Sequence, residues 1–476
     1  MRQERSHTKV IATIGPATRS REILEQMFQE GVDVCRINCS HDTHEEHLKT
    51  IKFIHQLNEE LGTHVAILAD LQGPKLRVGE MENDQIELED GEEYSFVTTA
   101  CIGDRERAYI SYERLPMDVS AGENILLDDG KLIFEVIESN GKDRVRTRVI
   151  AGGTLSSRKG VNLPHTKVTL PSLTEKDMED ARFALDHQVD WIALSFVRKE
   201  KDILDLRKIV DAHSTNAQII AKIEKPEALE EINEIIDAAD GIMVARGDLG
   251  VEVDFHRVPL IQKSIIKQCN GKSKPVIVAT QMMESMIKNP TPTRAEANDV
   301  ANAVLDGADT VMLSGETSVG KYPVQTIRNM QKIIDSTETD EFLFYKEHRP
   351  LQHNETFLAD SICYNAVRLA EQVSAAAIIT LTYSGYTAIK ISSHRPRAPI
   401  FTFTMNKEQI RHLSLVWGVR TYFFGECYQI NDYIKYTEEF LVSQNLLKKG
   451  DLVVHVGSIP MLEKGKTNMM KLTRVT

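Results

Sequence analysis

Residues 219–253 read IIAKIEKPEALEEINEIIDAADGIMVARGDLGVEV, and their rhythm decides the fold. A short apolar run, 219–223, gives way to an amphipathic stretch, 227–239, and then to a second apolar run, 242–245. Runs of that length between turn residues are strands, and the stretch joining them has helical periodicity. Two such strands joined by a helix form a parallel pair with a crossover.

The same unit recurs on both sides. Apolar runs stand at 10–14, 32–37, 65–69, 191–196, 276–279 and 310–313, which makes eight with the two above. Helical patterns cover 20–30, 44–60, 175–186, 200–213, 259–272 and 293–305. Ser20 and Thr174 are of the type that caps a helix N-terminus. Eight βα units predict a closed (β/α)₈ barrel of class α/β, spanning 1–72 and 168–345. The third unit is interrupted after Asp70. Within 73–167 the segments QIELEDGEEYSFVTT and ENILLDDGKLIFEVIESNGKDRVRTRVI alternate at period two around Asp-Gly and Asn-Gly turns. That predicts an inserted β domain. Residues 351–476 carry strand runs at 377–381, 399–404, 421–424 and 452–456 and a helix at 360–372, a small open α/β domain.

Composition limits the function. The chain has 476 residues, 41% hydrophobic and 6% aromatic, as in globular proteins. No apolar run approaches the roughly 18–20 residues of a membrane span, and the first residues, MRQERSHTK, lack a signal-peptide core. Six cysteines without a CxxC pair predict reduced thiols and a cytoplasmic protein. A net charge of −13 argues against nucleic acid as a partner, though converging basic residues can still bind phosphate.

Barrel enzymes place their chemistry at the C-terminal strand ends. There the sequence supplies Arg36, Asn38, Ser40 and His41 after strand two, and Asp70, Lys75 and Arg77 after strand three. Strand four is followed by Ser195 and Lys199, and strand five delivers Lys222 and Glu224. Arg246 and Asp248, Thr280 and Gln281, and Ser314 and Glu316 follow strands six, seven and eight. Lys222 and Glu224 are two apart and share a strand face. Alone they would read as a surface ion pair, and Asp248, following Gly247, as a turn residue. On adjacent strand ends, Glu224 and Asp248 make a carboxylate pair suited to Mg²⁺ or Mn²⁺. Two motifs are decoys. GETSVGKY, 315–322, has Tyr322 where a phosphate-binding loop needs Ser or Thr, and HEEH, 44–47, brings its second histidine one residue too early for HExxH.

TKVIATIGPATRS, CRINCSH, ADLQGPKLRVG, RKGVNLP, SFVRK, IIAKIEKPEAL, GIMVARGDLGVEV, PVIVATQMMESMI, PTRAEANDVANAVLDGADTVMLSGETSVGKYP and HRPRAPI together resemble the pyruvate kinase family, from about residue 8 into the third domain. The resemblance implies phosphoryl transfer from phosphoenolpyruvate to ADP, giving pyruvate and ATP, with Mg²⁺ or Mn²⁺, a phosphorylated allosteric effector and a homotetramer. It assigns the metal to Glu224 and Asp248, and the phosphoryl group to Lys222 and Arg36. The substrate carboxylate falls to Gly247, Asp248 and Thr280, and protonation of the enolate to Thr280 with Ser314 and Glu316. The resemblance also makes the inserted domain, 73–167, a small β-barrel lid, and nucleotide phosphates fall to His41, Arg77, Lys159 and Lys199, with Lys159 arriving when the lid closes. LTYSGYT, with Thr382, Ser384, Gly385 and Thr387, is implied as the effector-phosphate loop, while the tail MLEKGKTNMM, 461–470, only partly matches a bisphosphate site.

Members that need K⁺ bind it near the positions of Asn38, Ser40, Asp70 and the backbone of residue 71, with Thr at 71 and Glu at 75. Here stand Leu71 and Lys75, so K⁺ is not expected to be required. The competing enzyme reading is a metal-dependent pyruvate-class aldolase, which would share the Glu/Asp pair and enolate chemistry but have no use for Arg77, Lys159 or Lys199. A metabolite sensor without activity would be expected to lack some of Lys222, Glu224, Asp248 and Thr280, all of which are present.

Overall fold

Alternate residues of the first strand, Lys9–Thr13, face opposite ways, and that parity builds the centre of the molecule. Ile11 packs inward with Val34, Leu68, Ile220, Met243 and Met312, while Val10 and Ala12 join the core between strands and surrounding helices. In the computed structural model, which describes residues 6–164, 166–352, 354–425, 430–459 and 467–476, these strands close into a parallel barrel. Its eight strands are Lys9–Thr13, Val34–Asn38, Ala66–Asp70, Trp191–Leu194, Gln218–Ile223, Gly241–Ala245, Val276–Ala279 and Thr310–Leu313. Each pairs with its neighbours in sequence order, and the first pairs with the last.

The outer helices start where the sequence provides caps. Thr43, Thr174 and Thr293 each accept the amide three residues on, and the acidic residue there reaches back to the cap. Other helices not delimited from sequence complete the barrel. Arg246–Glu252 follows the sixth strand immediately, and Pro323–Thr337 completes the eighth unit behind a proline at its start. The 227–239 stretch divides into Glu227–Glu230 and Ile232–Ala238.

The inserted segment leaves the barrel at Gly73. That residue has φ +68°, and an added Cβ would lie 2.8 Å from the Phe196 ring, so glycine is required twice over. Expected as a lid barrel, the segment divides its hydrogen bonds between a six-stranded sheet and a two-stranded ribbon, tied by bridges such as Arg77 to Gly160. Tyr94, Phe96, Phe134 and Val149 fill its own core.

The C-terminal domain is a five-stranded sheet. Its four parallel strands, Val419–Phe423, Ile400–Thr404, Ala377–Leu381 and Leu452–Gly457 in spatial order, are joined by an antiparallel edge, Met469–Arg474, not read from sequence. Part of the expected bisphosphate tail, 461–466, lies outside the described residues. The domain seats on the barrel floor, where Leu415 enters the barrel's inner core and its carbonyl accepts the Thr310 hydroxyl at 2.9 Å. Among the described residues no helix is long and apolar enough to cross a membrane.

Candidate active site

Lys222 and Glu224 share the inward parity of Ile220, so at the end of the fifth strand both side chains reach the mouth of the barrel. The Lys222 ammonium lies 3.0 Å from Glu224, 3.1 Å from Asp70 and 2.6 Å from the Ser195 hydroxyl. Burial works against its charge, but Asp70 and Glu224 outweigh that, and its pKa is raised. Arg36 donates to Asp70 at 2.6 Å and to the Thr13 hydroxyl at 2.9 Å. Burial alone would raise the Asp70 pKa, yet Lys222 and Arg36 bring it below the usual value. One buried carboxylate thus serves two cations at the mouth.

Glu224 is 1% exposed and accepts the Phe196 amide at 2.7 Å. Phe196 has φ +54°, a conformation unusual for a bulky residue, which turns that amide onto the carboxylate. Burial first, and then the nearby charge of Asp248, hold the Glu224 pKa up against the pull of Lys222. Glu224 and Asp248, which follow neighbouring strands, thus lie near enough to repel, a cost that a divalent cation would relieve. Among the described residues no group of three or more His, Cys, Asp or Glu could hold a metal. Two protein carboxylates, with the remaining oxygens left to substrate and water, fit Mg²⁺ better than an ion needing a full protein cage.

The seventh strand delivers more strain. Thr280 and Gln281 have φ +69° and +54°. For a β-branched threonine this is a marked outlier, of the kind that collects at functional sites. The Thr280 hydroxyl donates to the Ala279 carbonyl at 2.6 Å and accepts the Gly247 amide at 2.7 Å. Arg246 grips the Thr280 carbonyl at 2.7 Å while anchored on Asp299 at 2.7 Å. Asp248 and Thr280, with Ser314 and Glu316, line a cavity of 920 Å³ that Lys75 also lines. Glu316 has both oxygens engaged, by the amides of Met283 at 3.1 Å and Ser314 at 2.7 Å, and so acts as a brace beneath Ser314.

The remaining expected residues are placed differently. His41, Arg77, Lys159 and Lys199 lie outside the lining of that cavity. Lys159 is held inside the lid by Asp128 at 2.8 Å, Arg77 donates to the Arg158 carbonyl, and His41 and Lys199 are exposed. In the expected monovalent-cation region, Asn38 accepts the Ser40 amide and the Leu71 carbonyl accepts the Ser195 hydroxyl at 2.7 Å. Among the described residues no hydrogen bond or ion pair joins Lys75 to Asn38, Ser40 or Asp70; Lys75 instead lies on the wall near Asp248. In the C-terminal domain the Thr382 hydroxyl accepts the Gly385 amide at 3.0 Å, Thr387 meets Thr467, and Ser384 is exposed. Thr13 and Phe196 were missed from sequence. Thr13 reads as an ordinary strand residue, and the value of Phe196 lies in its backbone.

Residues 5–327 match the family model "Pyruvate kinase, barrel domain" and residues 360–473 match "Pyruvate kinase, alpha/beta domain". A pyruvate kinase of Geobacillus stearothermophilus is 44% identical over 475 residues, covering 98% of this chain and 80% of that protein. Pyruvate kinase 2 of Synechocystis sp. is 41% identical over 98% of this chain and 78% of its own length. The crystal structure of a pyruvate kinase from Cryptosporidium parvum superposes with a TM-score of 0.93 at 36% identity, covering all of this chain and 97% of that one. With the barrel and the C-terminal alpha/beta domain both matched at this level, the chain belongs to the pyruvate kinase family.

Proposed function

We propose that the chain transfers the phosphoryl group of phosphoenolpyruvate to ADP at the mouth of the barrel, giving pyruvate and ATP, with the residues below in the stated roles. The observation that carries these roles is the fully charged Lys222, buried among Asp70, Glu224 and Ser195 beside Arg36. Phosphoryl transfer depends on positioning and charge neutralisation. Arg36 and Lys222 hold the phosphoryl group as its bond to the enol oxygen breaks and a bond to an oxygen of ADP forms. Glu224 and Asp248 would hold a divalent metal, which would supply further neutralisation of negative charge at the substrate. Gly247 and Thr280, already joined by a hydrogen bond, orient the substrate carboxylate. Thr280, with Ser314 set by Glu316, directs a proton to the enolate carbon. His41, Arg77, Lys199 and, once the lid carries it inward, Lys159 bind the nucleotide phosphates. A phosphorylated effector at the 382–387 loop and a homotetramer complete this reading.

K⁺ is not required in this reading. Its support is that oxygens of Asn38, Asp70 and Leu71 in the expected cation region already accept from the protein's own donors. Asp70 is shared by Lys222 and Arg36, and the carbonyl of Leu71 and the amide oxygen of Asn38 already accept hydrogen bonds. Adding K⁺ a few ångströms from such cations costs a few kcal/mol, by a rough estimate at an effective dielectric near 20. Turnover in potassium-free buffer, with tetramethylammonium holding ionic strength, checks this. Activity that appeared only on adding K⁺ would overturn it.

Coupled measurement of pyruvate formation, with and without ADP and Mg²⁺, tests the main reading. Product is expected only with both. Pyruvate released without ADP would favour the aldolase alternative.

A further inference from the structure

The lid rejoins the barrel beside a buried charge cluster that the phosphoryl-transfer chemistry leaves unused. Glu252 ends the helix Arg246–Glu252 and is 3% exposed. Its Oε1 accepts the Lys225 ammonium at 2.7 Å and the side-chain amide of Asn162 at 2.9 Å. Its Oε2 is buried with no hydrogen-bond partner among the described residues. A carboxylate withdrawn from water is retained only where charge and hydrogen bonds compensate it, and here compensation comes from two segments separate from its own helix. Lys225 directly follows Glu224. Glu252 stands one helical turn beyond Asp248. Asn162 belongs to Val161–Asn162, the last strand of the inserted domain, three residues after Lys159. A second lid segment meets the same helix. An added Cβ on Gly130, in the turn whose Asp128 holds Lys159, would lie 3.7 Å from Val251.

We infer that Glu252 is a positioning residue which, with Lys225 and Asn162, latches the lid to the helix carrying Asp248, so that seating the lid and setting the two carboxylates form one event. This rests on the roles proposed above for Glu224, Asp248 and Lys159. The two parts of the latch differ in kind. Lys225 and Glu252 both belong to the barrel and stay paired when the lid swings. The neutral amide of Asn162 is the exchangeable part, and one hydrogen bond to a charged group biases an equilibrium by roughly ten- to a hundredfold.

The test uses the full chain as Asn162→Ala, Glu252→Gln, the double variant, and Lys159→Met as reference. Steady-state kinetics are measured with each substrate varied. Mn²⁺ binding to the substrate-free enzyme is followed by electron paramagnetic resonance. Asn162→Ala is expected to raise KM for ADP about tenfold with Mn²⁺ affinity unchanged. Glu252→Gln is expected to raise that KM at least as much and also to weaken Mn²⁺ binding. The double variant should be no worse than Glu252→Gln, because members of one unit are not additive. A purely structural role would lower the melting temperature and leave KM for ADP in place. An unchanged KM in Asn162→Ala while Lys159→Met raises it, or additive losses in the double variant, overturns the latch. If Lys159→Met itself leaves KM unchanged, the nucleotide reading fails instead, and normal Mn²⁺ affinity in Glu252→Gln then overturns the latch as well. Should Glu252→Gln not fold, Lys225→Met replaces it with the same expectations.

Discussion

At the scale of single residues, the site works by keeping charge where burial opposes it. Lys222 stays cationic because Asp70 and Glu224 stand 3.1 and 3.0 Å away, so the ammonium is in place before substrate arrives. Lys222→Met is therefore expected to cut turnover by at least about 10²–10³-fold, the scale of losing one preorganised charge stabiliser. Mn²⁺ binding should survive, and near-normal turnover would refute the assignment. Elsewhere a buried histidine sets a pH limit on stability. His394, 1% exposed, has its pKa lowered to about 4 by burial, reinforced by His348 and Lys390. A base whose folded pKa lies below its unfolded value near 6.5 leaves the unfolded chain binding more protons between the two values. Its contribution is complete above pH 6.5 and is lost as pH falls toward 4, a loss on the order of 3 kcal/mol in total. Melting curves at pH 7.5 and 5 should diverge in the wild type and converge in His394→Leu.

Individual elements explain why the strand ends carry strain. Phe196, Thr280 and Gln281 all take positive φ at C-terminal strand ends, where the chain turns sharply while aiming a hydroxyl or an amide into the site. The 382–387 segment of the C-terminal domain uses a milder device. Gly385 at φ +84° precedes the helix Tyr386–Ser393, with its amide held by Thr382. Ser384 is exposed at that turn, where a phosphate would meet backbone amides. Ser384→Glu is expected to abolish activation by whichever phosphorylated effector proves active, leaving basal turnover intact. Activation curves over a panel of sugar phosphates and nucleotides decide this, and an unshifted curve would exclude the loop.

Over the whole molecule, the barrel and C-terminal sheet are joined by charge buried at their boundary. Arg395, 1% exposed, reaches Asp309 at 3.1 Å, the Gly307 carbonyl at 2.7 Å and Asn270 at 2.8 Å, with its guanidinium over the Trp417 ring. Arg411 meets Asp190 at 2.6 Å at the same boundary. Breaking such a buried pair from one side strands the other charge, so Arg395→Met is expected to cost about 3–5 kcal/mol. Denaturant unfolding should show the loss, and a separate early transition of the C-terminal domain would mark the uncoupling. A change under 1 kcal/mol, the worth of an exposed pair, would show that the boundary is held by apolar packing alone.

The sequence by itself determined the eightfold βα repeat, the place of the insertion and the residues gathered at the strand ends, because periodicity and strand parity are local properties. It determined that Lys222 and Glu224 share a face, since residues two apart on a strand always do. The helix Pro323–Thr337 was hidden behind the decoy at 315–322, and the edge Met469–Arg474 lacked an apolar run, being half-exposed. Only tertiary structure decided what depends on distance between segments far apart in the chain. Asp70 serves two cations, Glu316 braces backbone instead of standing free, and Lys75 faces the Asp248 wall with no contact to Asp70. The lid's hold on Glu252 through Asn162 spans 90 residues, and no spacing rule reaches that far. Positive φ at Phe196 and Thr280 was equally illegible, because neither residue type favours it and the surrounding packing imposes it.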